Sequence, residues 1–382
     1  MIISKARKVR VADPAAFAWA GLRKFQNADL VTKLLIELHN VPKKYHDDVR
    51  KQAQQIRYCL VQAREYFAAA NSVTTATKPN LLYYGTMSLA LAEILFKQSG
   101  ASSLDKARDE NRHHGLVMST GAIPKNSDLE TSAGMLRAKP HESLGKRRGT
   151  FNLWHSSIRE HPLCGFTTTY SQDGSSTIAY SVILGAIDNP LPPLPPEGIT
   201  FAECLASLPL MSEHIEQSSL RTTLIRGKLQ SDFHTGPEWN ARVDVILHPS
   251  PLFSKLMDQI HTNPNAIDRI GLRFGENAGI IQIHNDWING NVSMPFPAGA
   301  TVNTAEWRMW TNNPSLNEFG YLYVSLYLAG NYARYFPDKW LFDVEASAPL
   351  ALSIEEICSM SEWRVPWLAL CELDRTLYVV EA

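Results

Sequence analysis

Apolar residues in QAQQIRYCLVQAREYFAAA (52–70) recur at Ile56, Leu60, Ala63 and Phe67. Steps of four, three and four are the stripe of an amphipathic helix turning every 3.6 residues. An earlier stretch, 28–39, carries Leu30, Leu34, Leu35 and Leu38 in the same way. The run LLYYGTMSLALAEILF (81–96) differs, being apolar on nearly every face, so neighbours must cover it on several sides. Thr77-Lys78-Pro79 predicts its start, because proline is tolerated in a first turn. Gly100 is the expected left-handed cap at its end. Far along the chain, NEFGYLYVSLYLAGNYARYF (317–336) repeats this character. Phe319, Leu322, Leu326, Ala329, Ala333 and Phe336 make one face, and Tyr321, Val324, Leu328 and Tyr332 the other. Pro337 predicts its stop, and its buried tyrosines need partners for their hydroxyls. Two apolar rods this far apart in the chain are expected to touch each other.

Between them the periodicity changes. Residues 120–150 are polar, with Gly121, Gly134, Pro140, Gly145 and Gly149, and read as irregular structure. FTTTYSQDGSSTIAYSVILGAI (166–187) gives two β-rich runs around Asp173-Gly174, a hairpin signal. NPLPPLPPEG (189–198) has five prolines in ten residues and predicts a stiff, extended linker. Strands follow at 241–248, 270–275, 279–286 and around 291–303, with helices at 200–225 and 251–262. The tail from 352 adds a helix and a last strand at TLYVVEA. No βαβ rhythm or internal repeat is present. The expected fold is therefore α+β. A helical bundle spans 1–118, a mixed β-rich section 119–312 with its proline linker at 189–198, and C-terminal helices, 313–382, pack back on the bundle.

Composition narrows the function classes without naming one. The 37 basic residues nearly cancel the 38 acidic ones, so a nucleic-acid partner would need a local patch rather than a global pull. Five cysteines stand far apart with no CxxC pair, which leaves no zinc ribbon or thioredoxin-like site and suggests thiols in a reducing cytosol. The basic N-terminus lacks a signal's apolar stretch, and 81–96 is shorter than a membrane span; a cytoplasmic protein with no membrane contact is expected. No GxGxxG, GxxxxGK[ST] or GxSxG occurs, and HESLG (141–145) lacks the second histidine of a zinc-protease helix. Neither cofactor nor metal is expected.

KPNLLYYGTMSLALAEILF, followed by HHGL (113–116), resembles the YaaC-like family of bacterial proteins. That family shows a KPxLLYYGxxSLAxA helix and then an HGL turn. The likeness continues at GKRRGTFNLWH (145–155) and returns at YARYFPDKW (332–340), so it covers most of the chain. The resemblance implies kinship without an activity; its relatives sometimes stand in defence-gene neighbourhoods. A weaker likeness lies in ARDENRHHGL (107–116). Arg108 followed by His113 or His114 is similar to the R-polar-x(4–6)-H signature of HEPN-type ribonucleases, which are helical, usually dimeric, and cleave RNA without metal. Histidine suits proton transfer near neutral pH, and arginine suits charge on phosphate.

Two readings follow. In one, Arg108 holds phosphate and His114 (or His113) is the acid/base of a metal-independent ribonuclease, a homodimer in a stress or antiphage setting. In the other, Gly115 ends a helix, the histidines cap carbonyls, and the protein is a non-catalytic binder of a partner protein or nucleic acid. Lys146, Arg147 and Arg148, beside Phe151, Trp154 and His155, place charge next to aromatics, as nucleic-acid contacts require. Arg334, expected to be buried, is read as a structural ion pair or an anion site. His284-Asn285-Asp286 reads as a strand-end turn.

Overall fold

The computed structural model describes residues 5–97, 113–124, 126–157, 160–170, 176–186, 191–234, 240–262, 270–274, 279–284, 291–293, 299–301, 307–311 and 314–381. The first section runs β1 (Lys5–Val9), α1 (Pro14–Arg23), α2 (Ala28–His39), α3 (His46–Ala70) and α4 (Lys78–Lys97). Asp13 accepts from the Ala16 amide just ahead of Pro14, and Asn27 accepts from the amides of Asp29 and Leu30. Side chains thus satisfy N–H groups that a first helical turn leaves free. The stripe Ile56, Leu60, Ala63, Phe67 is buried along α3, and α4 begins at Lys78 as Thr77-Lys78-Pro79 predicts.

The middle holds β2 (Leu116–Thr120), α5 (Leu129–Gly134), β3 (Leu136–Pro140), β4 (Glu142–Ser143), β5 (Lys146–Arg147) and α6 (Thr150–His155). The expectation of irregular structure over 120–150 is therefore corrected. Its strands are too short for periodicity to reveal. They form because β3 pairs antiparallel with both β2 and the distant β8 (Ile199–Thr200). Next come β6 (Glu160–Tyr170), β7 (Ser176–Ala186), α7 (Phe201–Ser207), α8 (Ser212–Glu216), β9 (Leu224–His234), β10 (Asn240–Leu247) and α9 (Phe253–Thr262). They are followed by β11 (Ile270–Phe274), β12 (Gly279–His284), β13 (Asn291–Ser293), β14 (Gly299–Thr301) and β15 (Trp307–Trp310). The hairpin expected around Asp173-Gly174 is present as antiparallel β6 and β7, from Glu160↔Ala186 to Tyr170↔Ser176. Their sheet has the order β11-β12-β10-β9-β6-β7-β13, and β15 also pairs with β9. It is mostly antiparallel, but β6–β9 and β7–β13 run parallel. Residues 191–198 have no regular structure, as the prolines predict, yet Leu191 and Leu194 are buried in the main core. Those two leucines anchor the segment against the core.

The last section is α10 (Glu318–Tyr335), α11 (Pro337–Glu345), α12 (Pro349–Leu373) and β16 (Thr376–Val380). Pro337 closes α10 as expected but also opens α11, since a first turn tolerates its missing N–H. The fold is α+β, with an N-terminal helical bundle on which the C-terminal helices pack back. The two apolar rods touch: Gly330 of α10 lies against the Asn80 and Pro79 backbone of α4, and Tyr83 meets Tyr323 and Tyr327 at ring separations of 5.9 and 5.4 Å. β16 pairs in parallel with β1, from Lys5↔Thr376 to Val9↔Val380. That partnership ties the ends of the described chain together. Among the described residues no helix is long and apolar enough to cross a membrane.

Candidate functional site

Arg108 and Gly100 lie outside the described residues, so the site is built from His113 onward. Gly115 has φ +87°, and a Cβ there would come within 2.8 Å of the Phe151 nitrogen. Gly149 has φ +104°, and its Cβ would stand 2.4 Å from the Gly115 nitrogen. The two glycine backbones therefore meet where no side chain fits. Around them, the Thr150 amide donates to the His113 carbonyl (3.1 Å) and the Phe151 amide to that of His114 (3.0 Å). The Gly115 carbonyl accepts from the His141 amide and from Asn152 Nδ2. The HHGL turn is thus bonded to the start of α6 and the end of β3.

From this fixed backbone the two imidazoles go to different neighbours. His113 lies on His141, ring centroids 4.4 Å apart. His114 sits against Tyr83, Tyr84 and Tyr327 at 5.6, 6.1 and 6.5 Å. It is exposed at the surface, and neither of its ring nitrogens takes a hydrogen bond among the described residues. The helix end whose carbonyls it was expected to cap lies outside the described residues. Partial desolvation, then the charge of Arg334, then that of His113, hold its pKa below 6.5. The imidazole is neutral at pH 7.

Arg334 corrects an expectation. It is exposed rather than buried, because α10 loses its cover in its final turn. It donates through Nη1 to the Tyr84 hydroxyl at 2.9 Å and lies 5.2 Å from the Tyr335 ring centre. Tyr84 stacks on Tyr66 at 5.7 Å. Tyr83 is held well above the usual phenol pKa by burial and by Tyr323 and Tyr327, so it stays neutral. The tyrosines of α10 meet their need for partners unevenly. Tyr327 donates to the Leu116 carbonyl and Tyr332 to Asp343, whereas the buried Tyr323 hydroxyl has no hydrogen bond among the described residues.

The basic run 146–148 folds beside the histidines. β4 and β5 form a hairpin that leaves β3 at His141 and returns at Arg148, whose amide donates to the His141 carbonyl. Lys146 is exposed, Arg148 is half-buried, and Arg147 Nε is 3.4 Å from Glu142. His155 goes elsewhere: its Nε2 is 2.6 Å from the Ser315 carbonyl and its ring stacks on Phe151, a structural placement. Burial lowers its pKa. Sequence reasoning missed Tyr83, Tyr84, Tyr327 and His141; the YYG of 83–85 was the available signal.

Behind the turn lies an inward-facing carboxylate. Trp154 of α6 donates through Nε1 to Glu93 Oε2 at 2.7 Å, while Glu93 Oε1 has no partner among the described residues. Burial pushes the Glu93 pKa up to about 7, against the lowering effect of Lys97. Lys97 in turn is 3.0 Å from Glu372. A separate cleft of about 660 Å³ is lined by Asp128, Tyr332, Asp338, Lys339, Phe342 and Asp343; its carboxylates make it a poor seat for phosphate. Cys59, Cys204, Cys358 and Cys371 are buried, and burial raises their thiol pKa values, to about 12 for Cys59 and Cys371. None is poised as a nucleophile. Among the described residues no group of three or more His, Cys, Asp or Glu is placed to hold a metal ion.

No curated protein and no solved structure matches the chain. The resemblance carried by LLYYG, HHGL, the 145–155 run and YARYFPDKW now has spatial meaning, because α4, the turn, α6 and the end of α10 meet at one place. A family model described as YaaC-like Protein matches residues 23–373, and the chain belongs to that family.

Proposed function

We propose that the protein acts on RNA at the His114 surface, as a metal-independent ribonuclease with His114 as the proton-transfer group. The observation that carries the reading is the exposed His114, whose ring takes no hydrogen bond among the described residues, beside the Arg334–Tyr84 pair. A neutral imidazole can take the proton of a ribose 2′-hydroxyl as that oxygen attacks the adjoining phosphorus. The resulting imidazolium returns the proton to the departing 5′-oxygen. Arg334, together with Arg108 of the 107–116 signature, supplies cationic donors for the phosphate oxygens. Lys146 and Arg148, on the hairpin next to the His113–His141 pair, add further cationic side chains; Arg147 is paired with Glu142. Tyr84 and Tyr66 offer ring faces of the kind that stack bases. A homodimer in a bacterial stress or antiphage setting fits the HEPN-type likeness.

The test is cleavage of single-stranded RNA by the purified protein in EDTA, wild type against His114→Ala, Arg334→Ala and Arg108→Ala. Loss of cleavage in His114→Ala, with unchanged far-UV circular dichroism, supports the reading. A wild type that leaves RNA intact, or a His114→Ala variant that cuts as well, ends it. If RNA is bound but never cut, the non-catalytic reading takes its place.

A further inference from the structure

The β4–β5 hairpin turns on two residues. Glu142 faces Arg147 and Ser143 faces Lys146, which leaves Leu144 and Gly145 as the loop. Their φ values, +53° and +71°, are those of a type I′ turn, where asparagine and glycine are the favoured pair. Leucine is poorly suited to the first position, since a left-handed backbone brings its Cβ against the next carbonyl. Leu144 is also 90% exposed, the most exposed of the described large apolar side chains. A single change to asparagine would remove both the strain and the exposed surface. The fold gains nothing from leucine there, and strain kept without structural return marks functional positions.

What surrounds the tip says what it meets. Lys146 is exposed next to it, and at the hairpin's root stand Arg148, His141 and His113. Among the described residues Glu142 offsets Arg147, at 3.4 Å. An apolar point on a cationic stem matches a strand with phosphates outside and stacked bases within. Leucine is among the side chains that wedge between base steps. A bilayer is the poorer match, because stable membrane anchoring takes more than one small apolar group.

We infer that Leu144 is a fingertip that inserts between bases of the RNA strand held by the hairpin's cations. This rests on the RNA reading given above. Lys146 and Arg148 hold phosphates on either side of the opened step.

The test uses a single-stranded RNA carrying 2-aminopurine, whose fluorescence rises when its base unstacks. Wild type and Leu144→Asn are compared for affinity by anisotropy and for the fluorescence change. Leu144→Asn is expected to melt about 2 °C higher, as turn strain is relieved. It is expected to bind roughly tenfold more weakly, as one apolar side chain loses its burial. The fluorescence rise should vanish, while the salt dependence of binding, set by phosphate contacts, should hold. If wild type binds RNA and Leu144→Asn matches it in affinity and fluorescence, the inference falls and the RNA reading stands. If wild type binds no RNA, both fall. Wild-type cosedimentation with phosphatidylserine vesicles that Leu144→Asn loses, without any RNA effect, would overturn the inference in favour of a membrane.

Discussion

The two ends of α10 hold their charge in opposite ways. At its start Glu318, 5% exposed, receives Nε and Nη2 of an equally buried Arg364, each at 2.7 Å. At its end Arg334 faces solvent with a phenol and an aromatic ring as its neighbours, and no carboxylate pairs with it among the described residues. The first end is closed chemistry. A buried charge must have a matched partner, so both members serve the fold. The second end is open, and its arginine, next to a neutral imidazole, keeps donors for an incoming anion. The contrast separates groups that hold the protein together from groups available to a ligand.

The largest effect is expected where the closed end is broken. Arg364→Met leaves Glu318 buried without a partner and should cost about 3–5 kcal/mol in urea unfolding. Adding Glu318→Leu to it should recover most of that loss. A double variant as unstable as the single would show that the pair is not the closed unit its geometry describes.

The next effect lies at Glu93, whose partner Trp154 packs on Phe319 near the start of α10. Glu93→Ala strands the Trp154 N–H and should cost about 2 kcal/mol at pH 5.5. Sign follows from the raised pKa, about 7 in the fold against 4.5 for a free carboxyl. The folded chain keeps a proton that the unfolded chain has released, so stability falls as pH rises from about 4.5 to about 7 and is level above. Glu93→Gln should flatten that part of the pH–stability curve. An unchanged slope would remove Glu93 as its source.

Gly149→Ala probes how the open end is built. Its Cβ would press on the Gly115 backbone at 2.4 Å with φ at +104°, which should cost about 1–3 kcal/mol. The His113 and His114 resonances should move with it in NMR spectra. Smallest in stability, and most telling for function, is Arg334→Gln. It should change stability by less than about 0.5 kcal/mol while the His114 pKa rises, as removal of a neighbouring cation requires. The imidazole C–H titration reads this directly, and any activity should carry its acidic limb to higher pH. A variant that unfolds more readily but leaves His114 unmoved would place Arg334 among the structural arginines.

Single residues show how far the site could be read in advance. His114 was legible because a histidine next to glycine, after an arginine, is a local pattern. Its neighbours were not: Tyr83 and Tyr84 look like any residues of a buried helix, and Tyr327 arrives from more than 200 residues away. His141 opens HESLG, and nothing local in those five residues reports that its ring meets His113. Arg334 was misplaced because the apolar periodicity around it describes the whole helix, while exposure in its last turn depends on what packs there.

The chain's own pattern was enough to establish the α4 and α10 rods, the β6–β7 hairpin and the closing strand, because local periodicity and turn residues report which face of an element avoids water. Packing alone decided that β1 joins β16, that β8 completes the small sheet, and that two glycines 34 positions apart lie back to back. Such partnerships depend on distances and directions between elements. Neighbours along a chain do not encode these until the helices and sheets have taken their places.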